Sequence, residues 1–349
     1  MATEPATETT LQGPAAWEEE AEREHVHGLG PWKLGLRRLR RNKTALLFGF
    51  VFILLVAVCA AAPLWADNVA KTGPSSGHLT DTITVDGKKI NVVGLDGVPI
   101  GPQYLKADGK FFLGADGNGR DIMVRLLYGG RNSLFIGLTA AFITVFLSIV
   151  LGVVSGYFRG ASDAVIRTLL DIMWSFPVII LGTALGVSLA LGGLKIGPIE
   201  IAGDSLAIPI LIIGLVYVPY MARPIRGQVL SLREKEFIEA ARAQGAGPIR
   251  IMFTEVLPNL ASTILVFFTL LIANAILLEA ALSFLGAGVQ PPNPSWGTMI
   301  DEGVDRIATA PHLAIVPGIM LVLTVLSLNV FGDGVRDALD PRAKVRLEH

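Results

Sequence analysis

Few residues in this chain have the types and spacing that a catalytic site, a metal site or a disulfide requires. Its one cysteine, Cys59, lies in an apolar run, and five histidines are scattered over 349 residues. A disulfide within the chain and a Cys/His metal site are therefore both unexpected. His25 and His27 are separated by one residue in an acidic segment, and this pair alone is a weak basis for a metal site. We predict no metal site in this chain.

The segment Asp116–Asp121 has the oxygen-bearing side chains of a calcium-binding loop, but its spacing is wrong for one. Arg120 occupies the fifth position, where an oxygen ligand belongs. Asp121 occupies the sixth position, where the sharp turn of such a loop needs glycine. We therefore expect no calcium there.

Nothing in the sequence predicts an enzyme. The chain has no Gly-x4-Gly-Lys-Ser/Thr pattern, the loop that holds nucleotide phosphates in many ATPases. No histidine lies within the long apolar runs, and no nucleophile and base form an obvious pair. The net charge of −1 gives no indication of nucleic-acid binding. We predict a non-catalytic chain that binds no cofactor of its own.

The most informative segment is short and polar, and it lies between two strongly apolar runs. Ser231 and Glu234 fit a capping box that would start a helix, and Gly245 is a typical helix stop. Pro248 suits the first position of a second helix, which would continue to Pro258 before the next apolar run begins. The pattern predicts a helix–turn–helix lying across the cytoplasmic face.

Such an element has two possible roles. Ala240 and Ala241 would let another protein surface approach closely, with Glu239 at the edge of the contact. A helix that rests on lipid headgroups instead carries large apolar residues on one side and Lys or Arg on the other. The segment is rich in alanine and carries Glu234 and Glu236, which favours docking to a soluble protein. From the residues alone, the lipid-surface role stays open.

The elements that must position this segment are membrane spans. Hydrophobic residues make up 52% of the chain, charged residues only 17%, and the mean hydropathy is +0.56. Six uncharged runs approach or exceed the length that crosses a bilayer as a helix. They are Thr44–Trp65, Ser133–Tyr157, Ile172–Leu191, Leu206–Ala222, Leu260–Leu278 and Leu313–Phe331. We predict an all-α polytopic membrane protein with six transmembrane helices.

Basic residues in the short loops predict the orientation of these helices. Six Lys and Arg lie between residues 33 and 43, before the first run, which places the N-terminus in the cytoplasm. Six more lie between residues 223 and 250, and four lie between 336 and 346. The two short outer loops hold only Lys195 and Arg306. Both termini and the polar segment are thus predicted to be cytoplasmic.

The long loop between the first two runs has β character. Thr82–Val85 and Lys88–Val93 flank Asp86-Gly87, a dipeptide typical of a type I′ hairpin turn. We expect a small external β element that packs on the outer surface as a cap. Contact with an extracellular partner is the alternative role.

Several blocks of the sequence, taken together, resemble one family. Phe237–Gly245 reads FIEAARAQG, Leu113–Asp121 reads LGADGNGRD, and Glu279–Gly297 reads EAALSFLGAGVQPPNPSWG. These blocks are similar to the EAA loop, the LGTDxxGRD block and the EAALSFLGLGVQPPxPSWG block of type I ABC importer permeases. The match is to the peptide/nickel branch, specifically its second, "C"-type, permease.

The resemblance covers Trp32–Trp65 and about Leu113–Asp340. The basic stretch before the first run is similar to the family's N-terminal extension. The departures are Ala115 for Thr, Ala287 for Leu and a longer external insert. The roles of the insert, 66–112, and of the acidic N-terminal tail lie outside the resemblance.

By this resemblance the polar segment is a coupling helix that sits in a groove of a cytoplasmic ATPase subunit. The residues that carry over to the ATPase contact are Glu239, Ala240, Ala241 and Gly245, and Pro258 would fix where the loop rejoins the membrane. The implied partners are a sister permease, two ATPase subunits that hold ATP and Mg²⁺, an extracytoplasmic substrate-binding protein and membrane lipid. The implied location is the bacterial plasma membrane.

The implied function is the ATP-driven import of di- or oligopeptides, with nickel or another small solute as the alternative. A stand-alone secondary carrier or channel is a further alternative. Secondary carriers usually show inverted repeats, and no repeat is evident across the six runs. A heterodimer is expected over a homodimer because the resemblance is to one of a pair.

Four residues in the apolar runs or at their ends are candidates for lining the substrate pathway. They are Met173, Trp174, Asn274 and Glu279. Helix packing is the alternative role for the first three. For Glu279, near the outer end of the fifth run, structural pairing and a position facing an external vestibule both stay open. Arg167 and Asp171 have the spacing of an ion pair along one helix.

The sequence divides into five regions on these grounds. They are a disordered acidic cytoplasmic tail (1–30), a basic cytoplasmic segment with the first transmembrane helix (31–65), an external loop with the β-hairpin (66–131), a transmembrane permease core (132–340) with a cytoplasmic coupling loop (223–259), and a cytoplasmic tail (341–349).

Overall fold

The computed structural model describes residues 31–104 and 106–339. The acidic tail predicted at 1–30, with His25 and His27, and the tail at 341–349 lie outside these residues. The described elements, in chain order, are α1 (Pro31–Arg41), α2 (Lys43–Ala60), α3 (Ala62–Trp65), β1 (Thr82–Val85), β2 (Lys88–Asn91), α4 (Ile122–Phe158), α5 (Gly160–Ser175), α6 (Val178–Gly192), β3 (Leu194–Ile196), β4 (Ile199–Ile201), α7 (Ala207–Val216), α8 (Val218–Leu232), α9 (Glu236–Ala243), α10 (Pro248–Ile251), α11 (Leu257–Phe284), α12 (Trp296–Val304) and α13 (His312–Leu339). One-turn π-helices follow α3 and α10.

The prediction of a helical membrane protein with six spans is confirmed, with one span of unexpected shape. Among the described residues, five helical segments are long and apolar enough to cross a membrane, and α5 with α6 supplies a sixth if counted together. That sixth was predicted as one run, Ile172–Leu191. Instead the chain bends by 89° between α5 and α6. Pro177 explains the break, because proline disfavours a helical conformation in the residue before it, and Phe176 is extended at ψ 133°.

The second span, α4, is the centre of the packing. It packs against α8 with very small residues at the contact. A Cβ placed on Gly152 would come within 2.7 Å of Ile225, and one on Gly156 would come equally close to Val229. These two glycines therefore set how closely the two helices approach. The core around this contact extends toward the polar segment, because it includes the buried Ile238.

The predicted hairpin is confirmed. Strands β1 and β2 pair antiparallel with Thr82 opposite Asn91, and Asp86 and Gly87 both have positive φ, as a type I′ turn requires. Strand β2 ends at Asn91 rather than at Val93. A second hairpin, β3 with β4, was not predicted, because strands of three residues are too short to give a periodic signal.

Candidate functional site

The coupling helix predicted from the sequence is α9, and its ends are defined by the backbone. It starts after Lys235, which is extended, and it ends in a Schellman motif. Gly245 has φ +83° and donates its N–H to the carbonyl of Arg242 at 2.9 Å. The next N–H, of Ala246, bonds to the carbonyl of Ala241 at 3.0 Å. The prediction that Gly245 stops this helix is confirmed.

The predicted start of this helix was wrong. Ser231, the proposed N-cap, lies inside α8, and α9 begins at Glu236. The preceding helix continues past the expected boundary because Ile225 and Val229 are fully buried against α4. Tertiary packing has therefore overridden a local capping signal, and the turn between the two helices is only three residues long.

The two faces of α9 differ. Ile238 has no exposed surface and packs in the main core with Val229 and Ile251. Ala241 is half-buried against the same cluster, whereas Glu239 and Ala240 are exposed. One face of the helix is therefore packed against the main core, and the other is exposed to solvent.

The loop is also fastened to the end of α4. Arg233 donates a hydrogen bond from Nη1 to the backbone carbonyl of Tyr157, and Arg242 lies 5.7 Å from the centre of the Tyr157 ring. Arg159 pairs with Glu234 in an exposed ion pair, which contributes little to stability by itself. The contacts place α9 where a displacement would reach the central helix directly.

The return to the membrane differs from the expectation. Pro248 occupies the first turn of a helix, as predicted. That helix does not lie across the face as a separate element, because it continues through the π-helix Met252–Val256 into α11. Pro258 is in the first turn of α11, inside this continuous rod. Pro258 has no N–H to donate to a carbonyl in the preceding turn. The π-turn just before it shifts the backbone hydrogen bonds from the i→i−4 to the i→i−5 spacing at this point.

A second group of functional candidates lies at the break between α5 and α6. The Trp174 ring is 4.3 Å from the Tyr220 ring, and the Arg223 guanidinium lies 4.6 Å from the Trp174 ring centre. Arg223 Nη2 donates to Asp171 Oδ1 at 2.7 Å. The pair expected between Arg167 and Asp171 is therefore replaced by a pair between helices. We call Asp171, Trp174, Tyr220 and Arg223 the bend cluster.

The other pathway candidates separate into two environments. Met173 is half-buried beside the bend cluster, and Asn274 is exposed on α11, where its carbonyl accepts a hydrogen bond from the Tyr217 hydroxyl at 3.2 Å. Of the two positions considered for Glu279, the structure shows an enclosed one rather than one facing an external vestibule. Glu279 is fully buried and accepts a hydrogen bond from the Ser283 hydroxyl at 2.7 Å.

Sequence reasoning missed an ion-pair network that joins the segment before α4 to α12. Arg125, which is only 2% exposed, bonds to Glu302 at 2.8 Å and lies 3.5 Å from Asp116. Arg120 joins the same two carboxylates, at 2.6 Å to Asp116 and 2.7 Å to Glu302. The only indication in the sequence was the block Leu113–Asp121, which contains Asp116 and Arg120. Nothing in that block indicates that Glu302, on α12, is the partner of these residues.

The remaining carboxylate of that block starts the central helix. Asp121 accepts N–H groups from Val124 at 3.1 Å and from Phe111 at 2.7 Å. Burial raises the pKa of Asp121, and these backbone hydrogen bonds act in the opposite direction. The block Asp116–Asp121 thus acts as a structural joint between the external element and α4.

A nucleophile–base arrangement, which the sequence did not indicate, lies in the external element. Thr72 Oγ1 is 2.8 Å from His78 Nε2, and His78 Nδ1 is 2.7 Å from Asp81 Oδ2. The His78 ring also lies edge-on to Phe111, and its backbone N–H bonds to Gly119. These contacts tie residues 72–81 to the joint before α4, so we assign the arrangement a structural role.

Comparison with known proteins identifies the family. Residues 148–345 match the family described as the binding-protein-dependent transport system inner membrane component. Residues 30–76 match the N-terminal TM domain of oligopeptide transport permease C. Together the two matches cover the basic N-terminal segment, α2 and the chain from the last part of α4 onward.

Relatives of known name agree with these matches over nearly the whole chain. The chain is 34% identical over 323 residues to the glutathione transport system permease protein GsiD of Pectobacterium atrosepticum, covering 90% of this chain and 92% of that protein. It is 35% identical over 317 residues to the dipeptide transport system permease protein DppC of Alkalihalophilus pseudofirmus (90% and 91%). It is 36% identical over 315 residues to the di/tripeptide transport system permease protein DppC of Pseudomonas aeruginosa (90% and 93%).

Among solved structures, inward-facing forms of the MetNI methionine ABC transporter have the same fold. The TM-score is 0.51 at 20% sequence identity, covering 63% of this chain and 98% of that one. This likeness concerns the fold, and the family follows from the sequence matches. The chain belongs to the binding-protein-dependent transport system inner membrane components, as a permease subunit of an ABC importer.

Proposed function

We propose that this chain forms half of the translocation pathway of an ATP-driven peptide importer, and that α9 couples it to cytoplasmic ATPase subunits. The observation that carries the coupling is the two-faced character of α9. Ile238 is buried in the permease core, while Glu239 and Ala240, the next two residues, are exposed. A force applied to the exposed face would thus be passed to the core helices.

The exposed face of α9 supports docking to a protein over resting on lipid. Phe237 is 40% exposed beside Glu239 and Ala240, and aromatic residues are enriched at protein interfaces. A carboxylate in the same patch opposes binding to an anionic lipid surface. Arg242, a cation of α9, is directed over Tyr157.

The proposed assembly follows the family. A sister permease completes the pathway, two ATPase subunits dock on the cytoplasmic side, and a substrate-binding protein docks on the external element. ATP and Mg²⁺ are held by the ATPase subunits, and this chain binds no cofactor of its own. Both termini are cytoplasmic in the bacterial plasma membrane, which the basic residues flanking the spans support.

Short peptides are the proposed substrates. The support is that the relatives named above are glutathione, dipeptide and di/tripeptide permeases. Import of nickel or another small solute is the alternative within the family. In the proposed cycle, ATP-driven closure of the ATPase pair moves α9 and switches the pathway between inward and outward access.

Pull-down from the native membrane tests this function. The wild-type chain, extracted in mild detergent, is expected to recover an ATPase, a second permease and a binding protein. Ala240→Arg places a bulky cation on the exposed face of α9 and is expected to lose the ATPase while keeping the sister permease. Ala161→Arg is the matched control, because Ala161 is an exposed alanine at the start of α5, outside the loop. Recovery of the wild-type chain alone, properly inserted, would instead favour a stand-alone carrier.

A further inference from the structure

Two breaks in the membrane helices face each other in this subunit. One is the 89° bend at Phe176-Pro177, between α5 and α6, and the other is a one-residue interruption at Tyr217, inside the span formed by α7 and α8. Each break is accompanied by a proline, Pro177 or Pro219. A cavity of about 280 Å³ lies between them and is lined from both sides. Among its lining residues are Met173, Trp174, Phe176, Val216, Pro219 and Tyr220.

The depth of this cavity follows from the helix rise. Tyr217 is ten residues from Ala207, the first residue of α7, which corresponds to about 15 Å along the helix axis. The hydrocarbon core of a bilayer is about 30 Å thick. The interruption at Tyr217 therefore lies near the middle of the membrane, the depth at which many transporters hold their substrates.

The surface beside the cavity is polar where a lipid-facing surface would be apolar. The Tyr217 hydroxyl donates to the backbone carbonyl of the exposed Asn274, the Tyr217 ring lies 5.4 Å from Tyr220, and Tyr220 leads to the rest of the bend cluster. The side chain of Asp171 is 56% exposed and that of Arg223 is 34% exposed. Polar and charged residues in membrane spans face water or other protein rather than lipid. The stripe continues from Tyr217, near the middle of its span, to Arg223 at the cytoplasmic end, so it is suited to face the inside of the assembled permease.

We propose that the cavity and the bend cluster form a subsite for a zwitterionic short peptide on its way through the membrane. This inference rests on the proposed function and adds the residues that receive the substrate. Arg223 offers a guanidinium to the peptide carboxylate, Asp171 offers a carboxylate to the peptide ammonium, and the faces of Trp174 and Tyr220 pack on its side chain. A zwitterion inserted between Arg223 and Asp171 replaces both partners at once, so neither charge is left unpaired.

Helix α8 links the subsite to the coupling loop. Arg223 is on α8, which ends three residues before α9 begins. On the same helix, Arg226 bonds to Asp163 of α5 through two nitrogens, at 2.6 and 2.7 Å. A displacement of α8 is therefore carried to α5 and to the bend, where it would open or close the pair that holds the peptide.

Cysteine labelling in the full complex tests the subsite. Cys59, the sole native cysteine, is buried and is replaced by alanine, and Met173→Cys is introduced. The permeases, ATPases and binding protein are reconstituted in vesicles and treated with a charged, water-soluble methanethiosulfonate reagent. We expect Met173→Cys to react, dialanine with its binding protein to slow that reaction during turnover, and the modification to stop dialanine uptake. Phe146→Cys is the control, on an exposed apolar stripe of α4, and it is expected not to react.

A second pair of variants tests the charges. Asp171→Asn and Arg223→Gln are each expected to lower dialanine uptake per ATP hydrolysed about tenfold, because each removes one charged hydrogen bond to the peptide. Binding-protein-stimulated ATP hydrolysis is expected to persist. Labelling of Met173→Cys by lipid-soluble maleimides alone, or unchanged coupling in both charge variants, would overturn the subsite. If the unmodified wild-type complex showed no stimulation of ATP hydrolysis by the binding protein, the proposed function itself would be contradicted.

Discussion

Arg233 donates a hydrogen bond from Nη1 to the backbone carbonyl of Tyr157 at 2.5 Å, across 76 positions of sequence. Arg233 is in the turn that leads into α9, and Tyr157 is in the last turn of α4. Arg242, in the last turn of α9, lies over the ring of the same Tyr157. The turn before α9 and the last turn of α9 therefore both engage one residue of the central span, which in the proposed function gives a physical route from α9 to the core.

The buried anchor of α9 gives the first prediction. Ile238→Ala is expected to destabilise the docking of the helix by about 2–5 kcal/mol, because it leaves a cavity in the main core. We expect the complex to assemble but to hydrolyse ATP without the normal stimulation by binding protein, as measured in reconstituted vesicles. Ile238→Val is the control, expected to cost only about 0.5–1.5 kcal/mol and to stay coupled. Normal coupling in Ile238→Ala would show that the anchor is dispensable.

The C-terminal cap of α9 gives the second prediction. Gly245 has φ +83° and no atom within 4 Å of a Cβ placed on it, so a substitution there acts through backbone strain alone. Gly245→Ser is expected to cost about 1–2 kcal/mol, the strain of a side chain in the left-handed region. Gly247→Ser is the matched control, because Gly247 is a helix N-cap at φ −73°, where serine is favoured. Melting temperatures of the purified chains check this, and equal shifts for the two variants would argue against the assigned cap.

The ion-pair network that joins the segment before α4 to α12 gives the third prediction. Arg125→Gln removes the most deeply buried member of the network, while Arg120 stays paired with Asp116 and Glu302. We therefore expect a clear loss of thermal stability, but one smaller than the cost of about 3–5 kcal/mol for a buried pair that loses its only partner. Glu302→Gln is expected to cost less, because Glu302 is 40% exposed.

A double-mutant cycle checks that the two side chains act as a pair. The variant carrying both Arg125→Gln and Glu302→Gln is expected to be more stable than the sum of the single losses implies. Strict additivity of the two losses would contradict a direct interaction between them.

The buried Glu279 gives the fourth prediction. Its Oε1 accepts the Ser283 hydroxyl, whose oxygen accepts the N–H of Val289 at 3.0 Å, so this chain of bonds shapes the turn after α11. Glu279→Ala is expected to cost about 1–3 kcal/mol by leaving Ser283 unsatisfied in the core. Glu279→Gln keeps an acceptor oxygen and should retain most of the stability. If Glu279→Ala were fully stable but selectively lost transport, Glu279 would have to be a substrate-pathway residue rather than a structural one.

The sequence predicted those features that depend on local pattern. Apolar runs of about 20 residues fixed the number of spans, because a bilayer imposes that length. Asp86-Gly87 located the hairpin turn, and Gly245 located the end of the coupling helix, because each meets a requirement for positive φ that few residues satisfy.

The features that sequence reasoning missed depend on partners distant in the chain. The start of α9 was misplaced because buried contacts of Val229 extend the previous helix. Asp171 pairs with Arg223, 52 positions away, rather than with Arg167 on its own helix. Glu279 has the charge of a pathway residue, and only the packing around it shows that it is enclosed.

Cross-linking from the exposed face of α9 tests the central claim most directly. In a chain with Cys59→Ala, Ala240→Cys is fitted with a short photoactivatable label in the native membrane, with Ala161→Cys as the control. We predict that Ala240→Cys becomes linked to a cytoplasmic ATPase subunit, that the control does not, and that adding ATP with vanadate changes the yield. Labelling of lipid alone from Ala240→Cys, in vesicles that still import peptide, would contradict coupling through this helix.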